Sequence, residues 1–204
     1  MATTRRLGTE DSATRAALLD AAQQLLFEEG YAAVTSRRVA TRAELKPQLV
    51  HYYFRTMDDL FLALVRRGAE HNLARQAEAL ASPQPLRALW EFSTDPVGTR
   101  VTVELYALAN HRKALRTELA AYAEQFRRRQ SEALAAALAT AGVDADEVPP
   151  DAVMVLMTSV SRVLVMEEAL GVTAGHAEMR ALVERYLTRY EGPPADLSTA
   201  DDAG

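Results

Sequence analysis

The sequence predicts an all-α protein, a three-helix amino-terminal unit followed by a longer helical region. Three observations carry that expectation. Apolar residues recur at i, i+3, i+4 and i+7 in one segment after another between Leu18 and Tyr190. Glycine and proline stand between those segments, at Gly30, Pro47, Pro83, Pro85, Gly142, Pro149 and Gly171. Good helix starters, Thr35 and Thr56, precede two of them.

Taken in order, residues 1–12 are small and polar, with Arg5 and Arg6 forming either a plain tail or an arm toward a minor groove. Helix one is expected from Ala13 to Glu29, because Leu18, Ala21, Ala22, Leu25 and Leu26 make a helical stripe and Gly30 stops it. Tyr31 and Val34 are expected to close the small core beside that stop. Thr35 then caps helix two, Ser36 to about Ala43, with Val39, Ala40 and Ala43 inward and Arg37, Arg38 and Arg42 outward. Leu45 fills the corner. Pro47 suits the first turn of helix three, where its missing N–H is not needed. Val50, Tyr53 and Phe54 point inward there, which leaves Gln48, Leu49, His51 and Tyr52 on or near a free face.

Charge marks the same stretch. Between Ala32 and Arg55 stand Arg37, Arg38, Arg42, Lys46 and Arg55 against Glu44 alone, a local balance of +4 in a chain whose formal charge is −5. Lysine and arginine neutralise phosphates, glutamine pairs with adenine, and apolar or aromatic groups touch a thymine methyl, so the mixture suits a major groove. The plain alternative is a solvated basic face on an ordinary helical hairpin.

The run from Leu18 to Leu64, with L-L-F-E-E-G-Y, then T-S-R-R-V-A, then L-V-H-Y-Y-F-R-T-M-D-D-L-F, resembles the amino-terminal domain of the TetR family of transcriptional regulators. The resemblance implies phosphate contacts from Ser36 and Arg37, and base or phosphate contacts from Pro47, Gln48, Leu49, His51, Tyr52 and Tyr53. It also implies a ligand-responsive DNA binder, most often a repressor. This chain departs from the family pattern at Glu44, where many members carry glycine, at Lys46, where a small polar residue is common, and at Met57, where lysine is common. The last change removes a phosphate contact that Arg55 or Lys46 is expected to replace. Glu44 in a turn favouring positive φ is expected to cost about 1 kcal/mol.

A fourth helix is expected from Thr56 to about Leu80, with Asp58 and Asp59 in its first turn and Leu60, Phe61 and Leu64 inward. S-P-Q-P breaks it. Short helices follow at Leu86–Ser93 and from Val101 to about Asn110, with T-D-P-V-G as punctuation between them. Leu115, Leu119, Tyr122, Phe126, Leu134 and Leu138 then mark a long helix ending near Gly142. Asp151–Leu170 is apolar nearly all round and needs apolar partners on more than one side. Met179, Leu182, Val183, Tyr186, Leu187 and Tyr190 form the last stripe, before a polar tail. The division expected is 1–56 for the helix-turn-helix, 57–192 for a ligand-binding and dimerisation domain, and 193–204 for the tail.

Composition narrows the function. Cysteine is absent, which removes disulfide frameworks and thiolate metal sites. The amino terminus lacks a signal-peptide core, and polar residues interrupt the longest apolar run, so a cytoplasmic chain with no membrane partner is expected. His51, His71, His111 and His176 are scattered, and no H-E-x-x-H, G-x-S-x-G or phosphate-cradling glycine loop is present. No enzyme, catalytic residue, metal or cofactor is therefore expected.

The candidate ligand-binding residues are Trp90, Phe92, Glu104, Tyr106, Asn110, His111, Tyr122, Phe126, Met154 and Met157. Aromatic residues and flexible methionine line adaptable apolar cavities, although they also make ordinary core. The candidate dimer interface takes Val160, Leu164, Met179, Leu182, Val183 and Tyr186 from the last two helices, paired about a two-fold axis as a four-helix contact. The partners implied are a palindromic double-stranded operator, a second copy of the chain, and a small, largely apolar effector that releases the protein from DNA. Two rival readings stand beside this one: a DNA-binding regulator with no small-molecule effector, and a helical enzyme or carrier using the second region.

Overall fold

The computed structural model describes residues 13–195, so Arg5, Arg6 and most of the polar tail lie outside the described residues. Those residues form α1 (Ala13–Glu29), a single 3₁₀ turn (Tyr31–Ala33), α2 (Ser36–Arg42), α3 (Pro47–Tyr53), α4 (Met57–Leu80), α5 (Pro85–Ser93), α6 (Pro96–Ala109), α7 (Lys113–Thr140), α8 (Pro150–Glu168) and α9 (His176–Glu191). No strand occurs among the described residues. The described residues divide into two compact units, 13–72 with 100–123, and 73–99 with 124–195. Helices α4, α6 and α7 each supply residues to both.

Helix starts follow local chemistry. Thr35 accepts the N–H of Arg38 at 3.4 Å and so caps α2. Thr56 and Asp59 form a reciprocal capping box, Asp59 N–H to Thr56 Oγ1 at 3.1 Å and Thr56 N–H to Asp59 Oδ2 at 3.0 Å, which fixes the start of α4. Helix α6 begins five residues earlier than the expected Val101. The T-D-P-V-G string is a helix start: Asp95 accepts the N–H of Val97 at 3.1 Å through Oδ1, and Pro96 occupies the first helical position.

In the first unit, Leu18, Leu25, Val39, Val50 and Phe54 share one core with Leu60, Phe61 and Val65 of α4 and with Leu108, Leu115 and Leu119 of α6 and α7. The amino-terminal helices therefore do not close on themselves. Val34 is buried as expected, but Tyr31 is 40% exposed. Its backbone, rather than its ring, is the anchor: Tyr31 N–H donates to the Glu104 carboxylate of α6 at 3.3 Å. Polar clamps reinforce the same packing. Arg67 reaches Asp20 at 2.7 Å and Gln23 at 2.6 Å, Arg66 grips Glu118 with two bonds of 2.8 and 3.1 Å, and Arg112 pairs with Asp58 while lying over the Phe61 ring.

The second unit is built on Leu86, Leu134, Leu138, Met154 and Leu187, with Trp90, Met157, Val183 and Tyr190 packed against them. Its α5 start is capped from a distance. Pro85 has no N–H, and the next two N–H groups, of Leu86 and Arg87, both donate to the Glu191 carboxylate at the end of α9, at 2.6 and 3.0 Å.

Candidate nucleic-acid interface

Helices α2 and α3 meet at a turn whose geometry is fully specified by hydrogen bonds. Glu44 adopts φ +56° and donates its N–H to Thr41 O at 3.1 Å, and Leu45 donates to Ala40 O at 2.8 Å. This pair of bonds is the left-handed helix ending usually given to glycine. Leu45 then packs against the first core, which turns the chain sharply into Pro47.

The turn sorts the side chains of α3. Val50 and Phe54 are buried and Tyr53 is half-buried, as expected from their spacing. Pro47, Gln48, His51 and Tyr52 are exposed together on one side of the helix, with Lys46 before it and Arg55 after it. Leu49 differs from the expectation of a free side chain: it is half-buried and packs against the core. The rings of Tyr52 and Tyr53 meet edge to face at 5.0 Å, and this contact limits the rotation of Tyr52 at the surface. The Phe54 ring beneath is covered by the Arg15 guanidinium at 5.2 Å.

The cations divide into two sets. Arg38 and Arg42 are tied back to α1, to Glu29 at 2.5 Å and Glu28 at 2.8 Å. The Arg42 hydrogen bond holds the Glu28 carboxyl below the usual carboxylate range, and the same bond raises Arg42. With Glu28 and Glu29 counted, the +4 of the sequence window falls to +2, because two of its five cations are already answered. Arg37, Lys46 and Arg55 are exposed and have no ion-pair partner among the described residues. Of the five cations in the window, these three are the ones not already answered by a carboxylate.

The other candidate residues are distributed between the units. Glu104, Tyr106, Asn110, His111 and Tyr122 belong to the first, whereas Trp90, Phe92, Phe126, Met154 and Met157 belong to the second. Asn110 and His111 are exposed at the α6–α7 turn, not in apolar surroundings, and Glu104 holds Tyr31. In the second unit, the Phe92 and Phe126 rings stand 5.5 Å apart and Met154 is fully buried. A shallow depression of about 220 Å³ lies between α1 and α2, lined by Leu25, Arg37, Arg38, Thr41 and Arg42, and none of the candidate ligand residues touches it.

Among the candidate interface residues, Leu164 is a correction. It is 3% exposed and packs inside its own chain, because it shares the inward face of α8 with Met154, Ser161 and Val165. The uncovered face of that helix carries Val155, Leu156, Val163 and Met166 instead. On α9, Val183 packs inward beside Leu187, while Leu182 and Tyr186 are exposed and Met179 and, on α8, Val160 are half-buried.

Residues 18–64 match the family described as bacterial regulatory proteins, tetR family. An uncharacterized HTH-type transcriptional regulator in the dhlA 5′ region of Xanthobacter autotrophicus is 37% identical over 71 residues, covering 35% of this chain and 35% of that protein. The match thus spans about a third of the curated relative's length. Among solved structures, Salmonella enterica GusR superimposes with a TM-score of 0.69 at 19% identity, over 88% of this chain and 96% of that one. A TetR-family member from Streptomyces coelicolor A3 gives 0.62 at 24%, over 90% and 100%. The multidrug binding protein EbrR, complexed with imidazole, gives 0.59 at 24%, over 91% and 99%.

Proposed function

We propose that the chain, whose residues 18–64 match the bacterial regulatory proteins of the tetR family, is a TetR-type transcriptional regulator, a homodimeric repressor released from a palindromic operator by a small, largely apolar ligand. The observation that carries the reading is the outward face of α3. Gln48, His51 and Tyr52 are exposed on a short helix whose approach is fixed by the Glu44 turn, and the unpaired cations Arg37, Lys46 and Arg55 flank it. In this reading, Gln48, Leu49, His51 and Tyr52 meet base edges, Ser36, Arg37, Lys46 and Arg55 hold phosphates, and Pro47 and Tyr53 set the helix against the backbone.

Residues 1–56 serve as the reader, and 57–192 carry the dimer contact and the effector site. The cytoplasm is the compartment where such a protein meets DNA, and no described helix is long and apolar enough to cross a membrane. The family is one of regulators rather than enzymes. Effector control is supported by the aromatic and methionine side chains that converge in the second unit, and by the fold shared with a protein that binds multiple drugs. A ligand with higher affinity for the released conformation lowers DNA affinity by the ratio of its two affinities, and DNA lowers ligand affinity by the same factor.

The test is a gel-shift series on an operator selected from random duplexes. Arg37→Ala weakens binding to every sequence and lowers the salt slope by about one unit, while Gln48→Ala relaxes preference at one base position, about 1–3 kcal/mol. Equal loss on all sequences for Gln48→Ala removes its base-reading role. Retention of full affinity by both variants removes the proposed interface.

A further inference from the structure

Gln76 lies on α4 in the part of that helix belonging to the second unit, and its side chain is completely buried. Its amide nitrogen donates to the backbone carbonyl of Phe126 on α7 at 3.0 Å. That bond decides which way the amide points, because a carbonyl accepts from nitrogen and not from a second oxygen. Gln76 Oε1 is left as a buried acceptor with no hydrogen-bond partner among the described residues. The hydroxyl of Ser131 is in the same condition, and Gln130, one turn beyond Phe126 on α7, is 2% exposed. Burying an unmet acceptor costs free energy that leucine or methionine at the same place would avoid.

We propose that Gln76 is the polar anchor of the effector site, and that the effector is an uncharged, largely apolar molecule whose N–H or O–H group donates to Gln76 Oε1. The inference rests on the reading of the second unit as a ligand sensor. Its chemistry follows from the neighbours. Oε1 only accepts, so it repels a carboxylate or phosphate. A cation is disfavoured by the Arg75 guanidinium, which already occupies a face of the aromatic pair, and Asp95 is engaged by Arg75 at 3.2 Å and by the Val97 N–H at 3.1 Å. The Arg75 guanidinium is itself laid over the Phe92 ring at 4.9 Å, and Phe92 packs on Phe126. Arg75 and Asp95 are thus matched to each other beside the aromatic pair, which leaves apolar surface and the unmet Gln76 acceptor. A donor-bearing aromatic body answers both.

Calorimetric titration of the full chain with 4-propylphenol and 4-propylanisole tests this, since the two share a body and differ in the donor. The phenol binds the wild type at least about tenfold more tightly than the anisole. In Gln76→Leu, or in the length-matched Gln76→Met if leucine disturbs the packing, the two bind within about twofold. Equal binding to the wild type overturns the proposal, as does a preference that survives in the variants. Failure of both probes to bind up to their solubility limits also overturns it. Gel shifts run in parallel separate the two levels: intact operator binding with no phenol preference removes the anchor alone, whereas absence of operator binding by the wild type removes the wider reading.

Discussion

Leu45 donates its backbone N–H to Ala40 O at 2.8 Å, across a residue, Glu44, that sits at φ +56°. Through this bond the end of α2 and the start of α3 are held in one register, because the two residues also share the core beneath the turn. The side chains offered by α3 are therefore set by a backbone conformation that an L-residue adopts only under strain. Among the described residues Glu44 is the one non-glycine with positive φ.

Glu44→Gly should accordingly stabilise the protein. Relief of left-handed strain is worth about 1–2 kcal/mol, and the greater freedom of glycine in the unfolded chain removes about 0.4–1 kcal/mol of that. Glu44 is exposed, so no packing is lost. Urea unfolding should show a higher midpoint with an unchanged slope for Glu44→Gly and no gain for Glu44→Ala. A lower midpoint for the glycine variant would mean that the turn is not strained.

Acid should weaken the first unit through Glu118. The hydrogen bond from Arg66 holds this carboxyl below its ordinary range, outweighing burial, which acts in the opposite direction. A depressed folded value gives stability that is complete above the unfolded glutamate range and lost as pH falls through the folded value. Glu28, Glu168 and Glu184 are shifted in the same sense by Arg42, Arg180 and Arg87. Both members of the Arg66–Glu118 pair are partly exposed, so its worth is about 0.2–1 kcal/mol. Glu118→Gln should lie below wild type at pH 7 and converge with it as pH falls below the ordinary glutamate range; a constant gap across the range would exclude the ion pair as the cause.

Most of the helices were legible because their stripes and starters are local. Thr35, Pro47 and the Thr56 box each act within a few residues, and each performs as its neighbours demand. What was not legible depends on distant partners. The count of free cations failed because Glu28 and Glu29 lie just outside the window that holds Arg38 and Arg42. Tyr31 was expected inside, yet Glu104, far along the chain, takes its backbone and leaves the ring out. Leu164 was assigned to the interface because α8 is apolar on several sides, and periodicity alone does not say which side the chain itself fills. The burial of Gln76 was not legible from its polar side chain, although it lies about three turns after Val65 on the same face, a register that does carry the signal.

The cap on α5 should be worth more than its surface position suggests. Gln84 makes no side-chain cap to the helix, and its amide instead binds the chain after α9, donating to Pro193 O at 2.7 Å. Glu191 alone meets the two N–H groups of Leu86 and Arg87. Glu191→Ala should cost about 1–2 kcal/mol and Glu191→Gln less, since the amide keeps one acceptor. Thermal unfolding checks the cost, and faster proteolysis near Gly192 in the alanine variant checks its location.

Dimerisation makes the sharpest separation between neighbours on one helix. Leu156 is 64% exposed and Val163 50% exposed, with Leu182 and Tyr186 uncovered on α9, whereas Leu164 is 3% exposed. If a second copy covers this face, the outward residues contribute to association and the inward one to folding. Val163→Glu and Leu156→Glu should leave the helical content and the unfolding of the monomer nearly unchanged while shifting sedimentation from dimer to monomer at micromolar concentration. Leu164→Ala should do the reverse, costing about 2–5 kcal/mol of stability through the cavity it leaves, with the folded fraction still dimeric. The consequence reaches DNA, because a dimer presents its two α3 helices at one separation and B-DNA accepts successive major-groove contacts about 34–36 Å apart. The glutamate variants should therefore lose affinity for a palindrome far more than for a single half-site. Wild-type protein that sediments as a monomer, or glutamate variants that remain dimeric, would rule out this face as the contact.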